Sequence, residues 1–471
     1  MSLQNEAAAR AARAEAAQQS SDSRQQLNRR LVAAAVLWLL LVGVVALLES
    51  VTTRKPTVFQ WWKPNAFPRI KELCAIAIFT VTYFAVAIGR LPGFRIDRAG
   101  AAFVGAALMV TLGVLPLRDA YRAIDWDTIT LLLGVMIVVA NLRICGLLRF
   151  VSRWIVKRAQ RPITMLVAIV MLTGCLSAFL VNDAICLAVT PLVLELVVQA
   201  KRNPVPYLLA IAMASNIGST ATITGNPQNM IIGSVSHIAY GQFAAALSPV
   251  AAIGLILTVL LISVAYRTEF WTRDRLMDDL PPACASKPLM VRSAAISIAM
   301  VAAFFFGVVP ARAAVGAGAV MLLTRRVKCE AVYEEIDWTL LLMFAGLFIV
   351  VAGLEKNVMT PGLIAAIGRL RLGSVAVLSA ITALLSNLVS NVPAVLVLKP
   401  LVETLHNRQQ AWLTIAMAST LAGNFTLIGS VANLIVVQRA RAHGVSIKFW
   451  DYFKTGAPLT LMTLAIGILY L

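Results

Sequence analysis

The chain has 471 residues, of which 59% are hydrophobic and only 13% charged, about half the charged share of an average soluble domain. Long apolar stretches recur from residue 31 to residue 471, many near the roughly 20 residues a spanning helix needs, and strand-type alternation is absent, which argues against both a soluble enzyme and a β-barrel. The formal charge of +19 is a poor nucleic-acid signal, because the basic residues sit in short loops between apolar segments, as the positive-inside rule and contact with anionic membrane lipids require; no nucleic-acid motif or partner is indicated.

Residues 1–30, rich in Ala, Arg, Gln and Ser, read as a cytoplasmic N-terminal tail. Residues 31–71 supply a retained first helix at about 31–49 and an external loop. The polar lead is long for a cleaved signal peptide, and no A-x-A site follows. Helices are expected at about 72–90, 99–117 and 128–147. Residues 162–200 are too long for one span and carry Asn182-Asp183 at their middle, so they read as a re-entrant hairpin. A helix at about 205–236 is broken near 218–227, and another covers about 244–266. The polar segment 267–292 is a cytoplasmic linker. Helices follow at about 293–309, 313–324 and 338–355, then a second re-entrant hairpin at about 361–405 with its tip near Asn391. A helix at about 412–437, broken near 421–430, precedes the closing helix. The fold class is all-α integral membrane, with about 11 transmembrane helices plus two re-entrant hairpins.

The two halves are duplicates. Ile124-Asp125-Trp126 recurs as Ile336-Asp337-Trp338, and without a gap Gly134 falls on Gly346 and residues 137–140 on 349–352. Ser177, Asn182 and Pro191 match Ser386, Asn391 and Pro400. Residues 211–215 match 415–419, and Thr222, Gly225 and Asn229 land on Thr426, Gly429 and Asn433. Apolar residues match easily by chance; Asp-Trp, Asn, Pro and Gly in one order do not. The repeats are 72–266 and 293–471. Counting spans from a cytoplasmic N-terminus inverts the second repeat relative to the first. Most of the 41 Lys and Arg residues then fall inside, with the basic stretch 54–71 as the exception. A multi-pass protein of the cytoplasmic (inner) membrane of a bacterium is expected.

Backbone that leaves helical geometry inside a bilayer is tolerated only where protein or a water-filled cavity satisfies its N–H and C=O groups. Matching breaks in two halves therefore point to a transporter's site. The first break carries Ser215, Asn216, Gly218, Thr220, Thr222, Gly225, Asn226 and Asn229; the second carries Thr420, Asn424, Thr426, Gly429 and Asn433. Pro227 suits the first turn of a resuming half-helix, whose N-terminus favours an anion or polar ligand. Close packing through small residues is the alternative for either break alone. The hairpin tips add Asn182, Asp183, Ser390 and Asn391. An ionisable residue at this depth is costly and as a rule functional, so Asp183 reads as a proton or cation coupling site, with capping of the hairpin's second helix as the bland alternative. Its repeat mate, Val392, is apolar. Lys399 and Glu403 have the spacing of a helical ion pair. None of Cys74, Cys145, Cys175, Cys186, Cys284 and Cys329 forms a C-x-x-C pair, so zinc and redox motifs lack support. Cys175 and Cys186 flank the first tip, where a thiophilic substrate such as trivalent arsenic could meet them; ordinary apolar packing is the alternative. There is no H-E-x-x-H, G-x-S-x-G or phosphate-binding loop, hence no enzyme and no cofactor is expected.

Val181-Asn182-Asp183 with Thr190-Pro191, and residues 215–233, above all Gly225-Asn226-Pro227-Gln228-Asn229, resemble the ion transporter superfamily. That group includes arsenite efflux permeases, sodium/proton antiporters of the same fold and divalent-anion/sodium symporters. A citrate-transporter-like permease domain would cover about residues 70–471. Ser390-Asn391 keeps the group's Ser-Asn-Thr signature, whereas Val181-Asn182-Asp183 alters it. An Asn-Asp tip followed by Thr-Pro looks more like the arsenite-permease branch, yet the second break has Ala422-Gly423-Asn424-Phe425 where that branch has Asp-Leu-Gly-Pro. The resemblance implies a mobile unit of hairpins and broken helices that moves as an elevator, commonly in a homodimer. The expected function is secondary active transport of a small inorganic anion or metalloid, led by arsenite or antimonite efflux and coupled to protons. The alternatives are a cation-coupled citrate- or succinate-type importer, with sodium as the coupling ion, and a sodium/proton antiporter.

Overall fold

The computed structural model describes residues 66–89, 96–157, 161–272, 287–323, 327–358 and 373–471. The N-terminal tail, the helix expected at 31–49, Cys284, most of the 267–292 linker and the start of the second hairpin lie outside the described residues. Within them all regular structure is helical. In chain order the helices are α1 (Ala66–Ile88), α2 (Arg98–Thr111), α3 (Leu117–Ala123), α4 (Trp126–Ile144), α5 (Leu147–Lys157), α6 (Pro162–Phe179), α7 (Asn182–Gln199) and α8 (Pro204–Ser219). A single 3-10 turn, Ile223–Gly225, precedes α9 (Pro227–Ser236). Next come α10 (Tyr240–Ala265), α11 (Arg267–Phe270), α12 (Lys287–Phe305), α13 (Pro310–Leu322), α14 (Cys329–Glu334) and α15 (Trp338–Val358). The chain closes with α16 (Val375–Val389), α17 (Asn391–Val402), α18 (Arg408–Ala422), α19 (Val431–Ala442) and α20 (Phe449–Tyr470). Among the described residues 8 helices are long and apolar enough to cross a membrane.

Starts and stops follow local chemistry. Asp97 caps α2 by accepting from the Gly100 amide at 2.8 Å, and Asp125 caps α4 by accepting from the Thr128 amide at 3.2 Å. Pro162, Pro204, Pro227 and Pro310 each open a helix where a missing N–H does no harm. The apolar pattern does not anticipate four short helices, α3, α5, α11 and α14; all four carry charged residues and fall in segments that read as loops.

One compact unit consists of α1 to α3 with residues 342–358 of α15; the remaining described helices form the other. In the first unit Gly346 of α15 seats on α2, where a methyl group would lie 2.7 Å from the Ala102 carbonyl carbon. At the far end of α15 the Lys356 ammonium donates to Asp119 at 2.6 Å, and this hydrogen bond holds the Asp119 carboxyl below the usual carboxylate range. In the second unit Gly134 of α4 seats on α13, where a methyl group would lie 2.5 Å from the Ala314 carbonyl carbon. Gly134 and Gly346 are repeat mates, and in the same register so are Ala102 and Ala314. Each long helix therefore places its glycine on the short helix of the opposite repeat.

Adding a methyl group at either contact forces two backbones apart. Gly134→Ala and Gly346→Ala should each destabilise the protein by about 1–3 kcal/mol, read as a lowered midpoint of thermal unfolding in detergent. Gly316→Ala, with nothing within 4 Å, should leave the midpoint unchanged or slightly raised.

Candidate functional site

The site is built from the second compact unit alone. Arms α6 and α7 meet at Leu180 and Val181, both non-helical. Arms α16 and α17 meet at Ser390, whose φ of +76° lies in a region L side chains adopt only under strain. Each hairpin lies beside its own broken helix, α8–α9 or α18–α19. The half-helices then cross over: α19 packs on α7 and α8 of the first repeat, and α9 packs on α17 and α18 of the second.

Both breaks are held by the same device. Helix α8 ends at Ser219, the chain passes through extended Thr222 and one 3-10 turn, and α9 resumes after extended Asn226. The Asn229 side-chain amide donates both hydrogens to carbonyls of the break, Ser219 at 3.1 Å and Thr222 at 3.0 Å. Its mate Asn433 does the same to Gly423 at 2.8 Å and Thr426 at 3.2 Å. Asn226 Oδ1 caps α9 by accepting from the Asn229 backbone N–H at 2.9 Å.

The repeats are then stitched to each other. Asn216 Nδ2 donates to Asn433 Oδ1 at 3.0 Å and to Asn424 Oδ1 at 2.9 Å, while Asn216 Oδ1 accepts from Ser430 Oγ at 2.9 Å. On the other side Thr420 Oγ1 donates to Asn229 Oδ1 at 3.4 Å and accepts from Asn226 Nδ2 at 3.1 Å and Gln228 Nε2 at 3.2 Å. Asn216 and Thr420 occupy matching positions, as do Asn226 and Ser430. Asn424 is further held by Tyr452 Oη at 3.4 Å and by its own bond to the Met213 carbonyl at 3.2 Å. The side chains that form this network are all neutral amides and hydroxyls.

Buried oxygens are left over, and they too come in pairs. Asn182 Oδ1 and Asn391 Oδ1, Ser177 Oγ and Ser386 Oγ, and Thr173 Oγ1 and Thr382 Oγ1 have no partner among the described residues. All three pairs are repeat mates. Thr190 and Ser379 also carry unpartnered oxygens but have no match. Leaving a buried polar atom unsatisfied costs about 1–3 kcal/mol, so a matched set of six is a feature that needs an explanation. Asn182 joins the stitched network through Nδ2, which donates to Asn216 Oδ1 at 3.2 Å.

The other expected residues have more local roles. Thr220 bonds back to the Asn216 carbonyl at 3.1 Å, within one turn of its own chain. Gly218 is pressed against the Gly174 backbone and Gly225 against the Ser219 backbone, so both serve close approach. A methyl group at Gly429 would lie 3.0 Å from the Gly423 carbonyl. Thr222 donates to the Ala178 carbonyl, and Thr426 donates to Asn387 Oδ1 at 3.4 Å. Ser215 Oγ accepts from the Cys186 thiol at 3.1 Å. Cys186 is buried whereas Cys175 is exposed. Asp183 lies in the first turn of α7 but does not cap it; the N-cap is Val181, without a side-chain bond. The residue as a whole is half-buried, and its carboxylate has no hydrogen bond or ion pair among the described residues. Lys399 and Glu403 form no ion pair, in contrast to Arg143 and Glu335 at 2.6 Å.

Gln228, Ser219, Ser430, Asn387, Tyr452 and the Thr173/Thr382 and Ser177/Ser386 pairs are not among the expected site residues. Repeat register holds the signal for several of them: Ser430 falls on Asn226, and Thr173 on Thr382.

The sequence profile of the citrate transporter family matches residues 75–422. An uncharacterized transporter of Mycobacterium tuberculosis is 30% identical over 84% of this chain and 98% of its own length. The silicon efflux transporter LSI3 of Oryza sativa subsp. japonica is 28% identical over 84% of this chain and 97% of its own. Among solved structures the Alcanivorax borkumensis YdaH transporter is similar in fold, with a TM-score of 0.56, 13% identity, and coverage of 85% of this chain and 96% of that one.

Asn216→Ala should lower thermal stability more than Ser430→Ala, because it leaves Asn433, Asn424 and Asn182 short of a partner as well as Ser430. A double-mutant cycle of Asn216→Ala with Asn433→Ala should give a coupling of about 0.5–3 kcal/mol, measured by thermal or denaturant unfolding; strict additivity would mean that the repeats are not joined through this pair.

Proposed function

This chain belongs to the citrate transporter family, and from that premise we propose that this multi-pass secondary transporter carries a small metalloid acid, with arsenite or antimonite efflux as the leading case. The observation that carries the reading is the matched set of unpartnered oxygens at the two hairpins, beside a network of neutral side chains. Arsenous, antimonous and silicic acids are uncharged at neutral pH and carry several O–H donors each. Asn182 Oδ1 and Asn391 Oδ1 can only accept, and the Ser and Thr hydroxyls beside them can accept or donate. A donor-rich, uncharged ligand satisfies such a set without bringing charge into the bilayer. Citrate or succinate offers ionised carboxylates, which are acceptors and would face acceptors. The silicon efflux relative fits the same chemistry.

Proton coupling falls to Asp183. It is the one carboxylate at a hairpin tip, and no cation pairs with it among the described residues. Protonation removes its charge and leaves the tip neutral, as the repeat mate Val392 is at all times. Inversion of the repeats, re-entrant hairpins, elevator movement, a homodimer and an N-terminus on the cytoplasmic side of the inner membrane belong to the same reading.

The family's description favours a second reading, in which the acceptor oxygens hold sodium and sodium in turn holds citrate or a dicarboxylate. A resistance and growth screen in a strain without its own arsenite exporter separates the two. The first reading expects arsenite or antimonite resistance and no growth on citrate or succinate; the reverse pattern selects the second. In vesicles, Asp183→Asn should reduce coupled metalloid transport and abolish its dependence on the pH gradient. Unchanged pH dependence in that variant would sink Asp183 as the coupling residue.

A further inference from the structure

The two breaks are mates in sequence but not in their cover. Residues 221–230, at the first, are buried throughout. The first residue of α10, Tyr240, is 4% exposed and shares a hydrogen bond of 2.7 Å with Thr224 Oγ1. Its ring packs on Phe304 and Phe305 of α12, with centroids at 5.0 and 5.2 Å. Phe305 in turn reaches Phe179, at the end of hairpin arm α6, at 6.5 Å. Thr222 joins the break to the same arm by donating to the Ala178 carbonyl. Helices α10 and α20 align from their first residues, with Pro249 on Pro458, so the mates of Tyr240, Thr224 and Ala178 are Phe449, Ile428 and Asn387. Neither phenylalanine nor isoleucine offers a hydroxyl, so the second break lacks the closing bond. Phe449 instead stacks on Phe453 at 5.5 Å, and Phe453 meets Phe425 edge-on at 5.6 Å. Thr426 donates to the Asn387 side chain at 3.4 Å rather than to the hairpin backbone. Phe425, Thr426 and Leu427 are half-buried, and Ile428 is 66% exposed.

We propose that the candidate site is entered past the second break, through a water-filled mouth bordered by Asn387, Thr426 and Ile428 that opens toward the α19–α20 turn, while Tyr240 shuts the matching route at the first break. The amides of Thr426, Leu427 and Ile428 have no acceptor among the described residues. Helices α18 and α19, which flank the break, have 15 and 12 residues. They supply roughly 22 and 18 Å of helix, which sets the break deep within a hydrocarbon core about 30 Å thick. Lipid cannot satisfy exposed amides at that depth, and water can. The contact of Phe425 with Phe453, one turn into α20, places the exposed stretch beside the end of α20 that follows the turn. Inward, the mouth ends on the second hairpin tip: a methyl group at Gly423 would lie 3.5 Å from Asn391 Nδ2, and Asn391 Oδ1 is one of the unpartnered oxygens. The proposal rests on the placement of the site at the breaks and tips, not on the metalloid.

The test needs no substrate, so its outcome is separate from the identity of the ligand. Ile428→Cys, Thr224→Cys and His443→Cys are each made in the full chain; His443 is exposed in the α19–α20 turn and marks its face of the membrane. Inside-out and right-side-out membrane vesicles are treated with a charged, membrane-impermeant methanethiosulfonate. The modified peptide is quantified by mass spectrometry, so the native cysteines stay in place. Ile428→Cys should react from the same vesicle type as His443→Cys. Thr224→Cys should react at least about tenfold more slowly than Ile428→Cys, as expected when its exposure needs a minor conformer. Thr426→Cys, half-buried at the same mouth, replaces Ile428→Cys if that variant does not fold. Modification of Ile428→Cys by a lipid-soluble maleimide alone, modification from the vesicle type opposite to His443→Cys, or equal rates at Thr224→Cys and Ile428→Cys would each overturn the proposal.

Discussion

Two helices that stop inside the second unit leave carbonyl and amide groups with no helical partner, and nearly everything else about the site follows from how those groups are satisfied. Asn229 and Asn433 are the answer within each repeat: a side-chain amide has two N–H donors, and each Asn directs both to the break beside it. That leaves each Asn oxygen free to face the other repeat, where Asn216 and Thr420 reach it. Positioning of the breaks and joining of the repeats are thus one arrangement of hydrogen bonds. It needs neutral donors and acceptors at close quarters, and a charged side chain in its place would leave a buried charge without an opposite.

Neutrality of the network also underlies the proposed ligand. Once the network has satisfied itself, the surplus consists of oxygens on the hairpin arms and tips, and all but those of Thr190 and Ser379 are paired between repeats. The departures from symmetry stand out against that pairing. Asp183 matches Val392 across the pseudo-symmetry, and the two breaks are unequally covered: Thr224 is fully buried whereas its mate Ile428 is 66% exposed. Symmetric atoms suit a shared ligand site; the single carboxylate suits a step that only one hairpin performs.

Much of this was legible in the sequence, for a definite reason. Asn and Asp are rare in membrane helices, and Gly and Pro interrupt them, so a matched order of these residues in the two halves carries information. It located both breaks, both tips and the Gly134/Gly346 pair. Crossing was not legible. Nothing in the order of residues says that Asn216 answers to Asn433 rather than to Asn229, because that choice is made by the packing of α19 on α7 and α8. Thr173 and Thr382 were hidden in apolar runs, where a threonine usually bonds its own helix and draws no notice. The short helices escaped because hydropathy is averaged over windows longer than they are. Small residues were ambiguous throughout: Gly218 and Gly225 read as site residues, and their surroundings are those of close packing.

If the leftover acceptors take an uncharged, donor-rich acid, equilibrium binding to the purified chain reveals it without any assumption about direction of flux or coupling. Arsenous acid, antimonous acid and silicic acid should bind in the absence of sodium, and Asn182→Ala or Asn391→Ala should weaken that binding, while citrate and succinate should not compete. Sodium-dependent binding of citrate or succinate, with no binding of the metalloid acids, would contradict the account.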